Sequence, residues 1–81
     1  NTLNVIIYTQ DMCGYCDAAI REFTRRDWDY TVHNIKNTIN YNNLKELIPD
    51  LKTVPQIWIE KEHIGGYDDL LVWLRDSDDV Y

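Results

Sequence analysis

Cys13 and Cys16 are the two cysteines of this 81-residue chain. The run Cys13-Gly14-Tyr15-Cys16 admits three chemistries. Two thiols at this spacing suit thiol–disulfide exchange. They are also half of a tetrahedral zinc site, but no second cysteine pair exists, and His33 and His63 are thirty positions apart rather than a close pair. The third reading is two buried structural cysteines. As a staple the pair is poor, since so short a loop adds about 2 kcal/mol at most. Placement favours exchange. Cys13 falls where a strand gives way to a helix, and the free N–H groups and positive dipole end there stabilise a thiolate. Cys16 lies one turn further on, on the buried face, and remains a thiol until needed. Exchange wants that asymmetry: an exposed, low-pKa attacker and a protected resolver.

The elements that must hold this pair follow from periodicity. Residues 3–9 form a short, β-branched, nearly continuous apolar run, the pattern of a strand buried on both faces. From Cys16 the apolar positions become Cys16, Ala19, Ile20 and Phe23, one face of a helix with Arg21, Glu22, Arg25 and Arg26 on the wet side. Residues 30–35 read as a second strand with Tyr30 and Val32 on one face. Leu44, Leu47, Ile48 and Leu51 repeat the helical spacing, with N-cap candidates among the asparagines at 40–43 and a stop at Pro49. Gln56 to Ile59 is a third strand, joined by a polar turn over 60–62 to a fourth at His63-Ile64. Gly65-Gly66 breaks the chain before a third helix with Tyr67, Leu70, Leu71 and Leu74 on one face. Asp68 and Asp69 lie in its first turn, where negative charge favours the dipole. Residues 77–81 are expected to fray. The order β-α-β-α-β-β-α predicts an α/β class, with a four-stranded mixed sheet and helices on both faces.

Composition narrows the function classes. Hydrophobic residues are 44% and charged residues 27%, which suits one globular domain over residues 1–81 and excludes a fibrous or disordered chain. No apolar run reaches the roughly 18 residues of a membrane span, and no basic-then-apolar leader opens the sequence. The net charge is −6, so nucleic acid and anionic membranes are disfavoured as partners. Residues 1–40 hold four bases and five acids, residues 41–59 balance, and residues 60–81 hold two bases and seven acids, for −1, 0 and −5. That acidic end reads as a solvated face.

Three segments together resemble the glutaredoxins along essentially the whole chain. They are Tyr8-Thr9 leading to Cys13-Gly14-Tyr15-Cys16, then Thr53-Val54-Pro55-Gln56, then Gly65-Gly66-Tyr67-Asp68-Asp69-Leu70. The resemblance, to the compact bacterial or bacteriophage type, implies a thioredoxin-like fold and a glutathione–disulfide oxidoreductase. Cys13 is then the nucleophile and Cys16 the resolving thiol, with glutathione as reducing co-substrate and no tightly bound cofactor. Pro55 is implied to be a cis-proline that turns the Val54 backbone toward the cysteines, to pair with an extended thiol peptide. Gly66 lets the backbone approach a ligand, and the helix start receives the γ-glutamyl carboxylate of glutathione. Asp69 is implied to pair with the ligand's ammonium, and Asp68 to cap the helix or offer its N–H; both also suit a plain helix start. Tyr15 is implied to flank the ligand, with Tyr8, Gln10, Thr53 and Gln56 in support.

Several positions depart from the family pattern. Gly14 stands where the commonest motif has Pro, which loosens the turn between the cysteines. Relatives with a small residue there include proteins that bridge a [2Fe–2S] cluster between two subunits, with glutathione as a ligand, so a cluster held by Cys13 is the alternative. Gln10 replaces a basic clamp on the glycyl carboxylate of glutathione, leaving Lys52 or Gln56 to supply it. Asp17 opposes a low Cys13 pKa. The expected partners are glutathione and disulfide-containing or glutathionylated proteins, ribonucleotide reductase among them. The expected setting is a cytoplasmic monomer.

Overall fold

The computed structural model describes residues 3–77. Its elements are β1 (Asn4–Thr9), α1 (Gly14–Arg25), β2 (Asp29–Asn34), α2 (Thr38–Leu47), β3 (Gln56–Ile59), β4 (Glu62–Gly65) and α3 (Tyr67–Asp76), in the order read from the sequence. They form a four-stranded sheet in the order β2-β1-β3-β4. β1 runs parallel to β2, with Asn4 opposite Asp29 and Thr9 opposite Asn34. β3 is antiparallel to both β1 and β4. The sheet is therefore mixed, as the single crossover and the final hairpin require.

Alternation along the strands divides the side chains between two faces. Val5 and Ile7 of β1 and Ile57 and Ile59 of β3 join Ala19 and Phe23 of α1 and Leu70 and Leu74 of α3 in one buried cluster. Each fully buried side chain of this size contributes roughly 1.5–3 kcal/mol, so this layer fixes how α1 and α3 lie on the sheet. The other face carries one ring from each strand. His33 lies 5.0 Å from Tyr8, Tyr8 lies 5.6 Å from Trp58, and Trp58 lies 4.6 Å from His63, between ring centroids. α2 packs against β2 on this side, and its Leu44 is fully buried.

Three details differ from the sequence reading. α2 begins earlier than the asparagines at 40–43 suggested, because Asn37 caps it: its Oδ1 accepts the N–H groups of Ile39 and Asn40 at 2.9 and 3.1 Å. The helix ends at Leu47, so Leu51 is not on its face; Ile48, the residue before Pro49, has left the helical region with ψ 86°. The polar turn is two residues, Glu60 and Lys61, both at positive φ (52° and 70°), which matches a tight hairpin connection and frees Glu62 for β4. β2 is an edge strand, and its Tyr30 and Val32 are 37% and 45% exposed. Of the end expected to fray, Ser77 donates its N–H to Trp73 O at 2.9 Å, and residues 78–81 lie outside the described residues. Among the described residues no helix is long and apolar enough to cross a membrane.

Candidate active site

β1 delivers the chain to residues 10–13, where it must turn sharply to start α1. Met12 takes the turn at φ +55° with its side chain fully exposed. Asp11 holds the loop to the end of β2, accepting from Asn34 Nδ2 at 2.8 Å and lying 3.6 Å from Lys36 Nζ. Cys13 is then extended, with φ −113° and ψ 105°, and is the N-cap of α1. Its Sγ accepts the Cys16 N–H at 3.1 Å, in the place where a serine or aspartate oxygen usually caps a helix. The two sulfurs are joined as a disulfide, with Cα atoms 5.2 Å apart. Cys13 is less open than the sequence reading expected, at 9% exposure against 1% for Cys16. Its sulfur is drawn in over the first turn, where the free N–H of Cys16 holds it. Gly14 is not a packing requirement: an added Cβ would meet nothing within 4 Å.

The facing wall comes from the segment before β3. The Val54–Pro55 peptide is cis, and Val54 O lies 4.0 Å from Cys13 Sγ. Gln56 turns its amide back, and Nε2 donates to Thr53 O at 3.0 Å. The third wall is the start of α3. There Gly66 N–H donates to Asp69 Oδ2 at 3.0 Å, so Asp69, and not Asp68, supplies the cap to the helix entry.

The Thr53–Gln56 and Gly65–Asp69 segments, with Tyr15, line an open groove of about 580 Å³ beside the cysteines; Cys13 and Cys16 are not themselves among its lining residues. Tyr15, Thr53, Val54, Pro55, Gln56, Gly66, Asp68 and Asp69, all named from the sequence, line it, as does Lys52. Tyr8 and Gln10 are not among the lining residues. Tyr8 is buried in the ring row, between His33 and Trp58. The structure adds residues that sequence reasoning left out, chiefly His63, Tyr67 and Asp50. Tyr67 stacks on Tyr15 with centroids 6.0 Å apart and planes 29° apart, making an aromatic side wall. An aromatic residue directly after Gly65-Gly66 was the available signal. His63, read from the sequence as part of the fourth strand, is exposed, and its Nε2 lies 2.8 Å from Gln56 Oε1. Among the described residues no group of three or more His, Cys, Asp or Glu side chains is placed to hold a metal ion.

The arrangement offers a sulfur at a helix start, a second sulfur bonded to it, a main-chain edge across from both, and a charged groove beside them. Comparison with known proteins agrees with that chemistry. The glutaredoxin family model matches residues 5–64. Glutaredoxin 1 of Escherichia coli (strain K12) is 30% identical, over 96% of this chain and all of its own length. A glutaredoxin of Pseudomonas aeruginosa is 38% identical over 82% of this chain and 79% of its own. Among solved structures, glutaredoxin 1 from Francisella tularensis, complexed with cacodylate, superposes with a TM-score of 0.74 at 27% identity, covering 96% of this chain and 94% of that one. A buckwheat glutaredoxin–glutathione complex shares the fold, with a TM-score of 0.78 at 23% identity, covering 95% of this chain and 73% of that one.

Proposed function

The chain belongs to the glutaredoxin family and is a thiol–disulfide oxidoreductase; on that premise we propose that it works with glutathione, reducing protein disulfides and glutathione mixed disulfides in the cytoplasm as a monomeric single domain. The observation that carries the reading is the position of Cys13. Its sulfur sits at the start of α1 on the Cys16 N–H, 4.0 Å from the Val54 carbonyl that edges the groove. A helix start favours the thiolate, and the groove gives an extended thiol peptide a place to lie.

Glutathione fits the groove's polar ends. Its γ-glutamyl carboxylate is directed to the start of α3 at Gly66 and Asp68, and its ammonium to Asp69. Tyr15 and Tyr67 flank its middle, and the Thr53–Val54 main chain pairs with it before Pro55. Lys52 and Gln56 take the glycyl carboxylate in place of a base at Gln10.

With a mixed disulfide, the Cys13 thiolate attacks the glutathione sulfur, the S–S bond breaks and the substrate thiolate leaves. A second glutathione thiolate then attacks that sulfur, releasing glutathione disulfide and restoring the Cys13 thiolate. With a protein disulfide, Cys13 becomes bonded to the protein. Cys16 then loses its proton and attacks Cys13 Sγ, releasing the protein thiolate and leaving the Cys13–Cys16 disulfide for glutathione to reduce. Ribonucleotide reductase is a substrate of this second kind, to be tested by coupled turnover.

Cys13→Ser is expected to abolish both activities, measured with glutathione and its reductase. Cys16→Ser is expected to keep deglutathionylation and lose protein-disulfide reduction. Turnover by the Cys13 variant overturns the assignment. Repeating the assay with thioredoxin reductase and NADPH identifies the reductant. The cluster-bridging alternative draws on the open space at Gly14, yet it needs the Cys13 sulfur that Cys16 already engages. A coloured dimer from anaerobic purification would favour it; the dithiol reading expects a colourless monomer.

A further inference from the structure

His63 lines the groove and takes no part in the exchange steps. Its ring is held on one side by Trp58, with centroids 4.6 Å apart, and its Nε2 lies 2.8 Å from Gln56 Oε1. Gln56 Nε2 in turn donates to Thr53 O at 3.0 Å. A carbonyl oxygen only accepts, so the Gln56 amide has its nitrogen toward Thr53 and its oxygen toward His63. The oxygen needs a donor, and His63 Nε2 must therefore carry a proton in both the neutral and the charged ring. The result is a directed chain from His63 Nε2–H to Gln56 Oε1, and from Gln56 Nε2–H to Thr53 O. It starts on β4 and ends on the residue before Val54, whose carbonyl faces Cys13 Sγ. Residues 51–55 belong to no helix or strand, so this chain acts where regular structure does not set the main chain.

We propose that His63 is a positioning residue, which through Gln56 orients the Thr53–Val54 main chain to receive the glutathionyl half of a substrate. The inference rests on the glutathione reading above. His63 touches neither reacting sulfur; it acts on how well the groove binds. Removing its donor leaves Gln56 Oε1 without that partner and lets the amide rotate away from Thr53 O. Binding of the extended ligand then weakens, while the chemistry at Cys13 does not change.

The test is steady-state deglutathionylation by the full chain with a glutathionylated peptide. His63→Phe keeps a ring over Trp58 and removes the donor, while His63→Gln places an amide donor at a similar reach. His63→Phe is expected to raise KM roughly 5- to 10-fold with kcat within about 2-fold, the size of one lost hydrogen bond at a binding site. His63→Gln is expected to return KM to within about 2-fold of the parent. Nitrogen-15 NMR of the unsubstituted chain should show the neutral His63 ring protonated at Nε2. Unchanged KM in His63→Phe, a fall confined to kcat, or failure of His63→Gln to rescue overturns the inference. So does a neutral ring protonated at Nδ1, a result independent of whether either variant folds. If the unsubstituted chain shows no deglutathionylation, the glutathione reading fails and takes this inference with it. Turnover with KM indifferent to His63 sinks the inference alone.

Discussion

Gly65 and Gly66 are neighbours with different reasons to be glycine. Gly65 has φ +117°, and a Cβ there would stand 2.3 Å from Asp69 Oδ2. Gly66 has φ −90°, and its added Cβ would meet Pro55 O at an ordinary 3.6 Å. Gly65→Ala is therefore expected to cost about 1–3 kcal/mol in urea unfolding, and to push Asp69 off the Gly66 N–H. Gly66→Ala should leave the midpoint nearly in place; equal midpoints for the two variants would contradict this division. At this scale the sequence exposed the chemistry well and the geometry unevenly. The Cys13–Cys16 pairing and the cis Val54–Pro55 peptide were legible because residue type and order carry them. Tyr8 adjoins the motif in sequence, but its ring is packed between His33 and Trp58. His63 was missed because its partner, Gln56, meets it only once β3 and β4 pair.

At the scale of elements, α1 has the proposed nucleophile, Cys13, as its N-cap and a charge cluster at its other end. Glu22 accepts from Arg25 Nη2 at 2.7 Å and from Arg26 Nη1. Burial pushes the Glu22 carboxyl up, but the hydrogen bonds and charges of Arg25 and Arg26 outweigh it and hold the group below the usual glutamate range. A carboxyl depressed in the folded state stabilises above its unfolded pKa of about 4.3, and that contribution is lost as pH falls through the lower folded value. Glu22→Gln should flatten the acid limb of the stability–pH curve below about pH 4.3, followed by thermal unfolding; an unchanged limb would rule the cluster out as its source. Helix periodicity made α1 and α3 legible. The start of α2 was harder to read, since several asparagines could cap it and the one that does, Asn37, is identified by its bonds to the Ile39 and Asn40 N–H groups. The edge position of β2 was invisible for the same kind of reason: strand order is a property of the assembled sheet.

For the whole molecule, the net charge of −6 acts at a distance that no single contact reveals. The groove shares the sign. Asp50, Asp68 and Asp69 outnumber Lys52, giving −2 with His63 neutral. Glutathionylated peptides flanked by lysine are expected to react faster than those flanked by glutamate at low ionic strength. The gap should narrow as salt shortens the screening length from about 30 Å at 0.01 M to about 3 Å at 1 M. A kcat/KM ratio insensitive to salt would show that charge steering plays no part in partner choice.

Position 13 answers to two demands under the proposed mechanism, because one sulfur closes the first turn of α1 and would also perform the exchange. A lineage that lost the nucleophile would also lose a helix cap unless a small oxygen-bearing side chain took its place. Serine can still cap the helix without performing the exchange, whereas alanine can do neither. An inactive copy meant to retain its shape, whether in evolution or as a laboratory decoy for partner capture, is thus better served by serine than by the customary alanine.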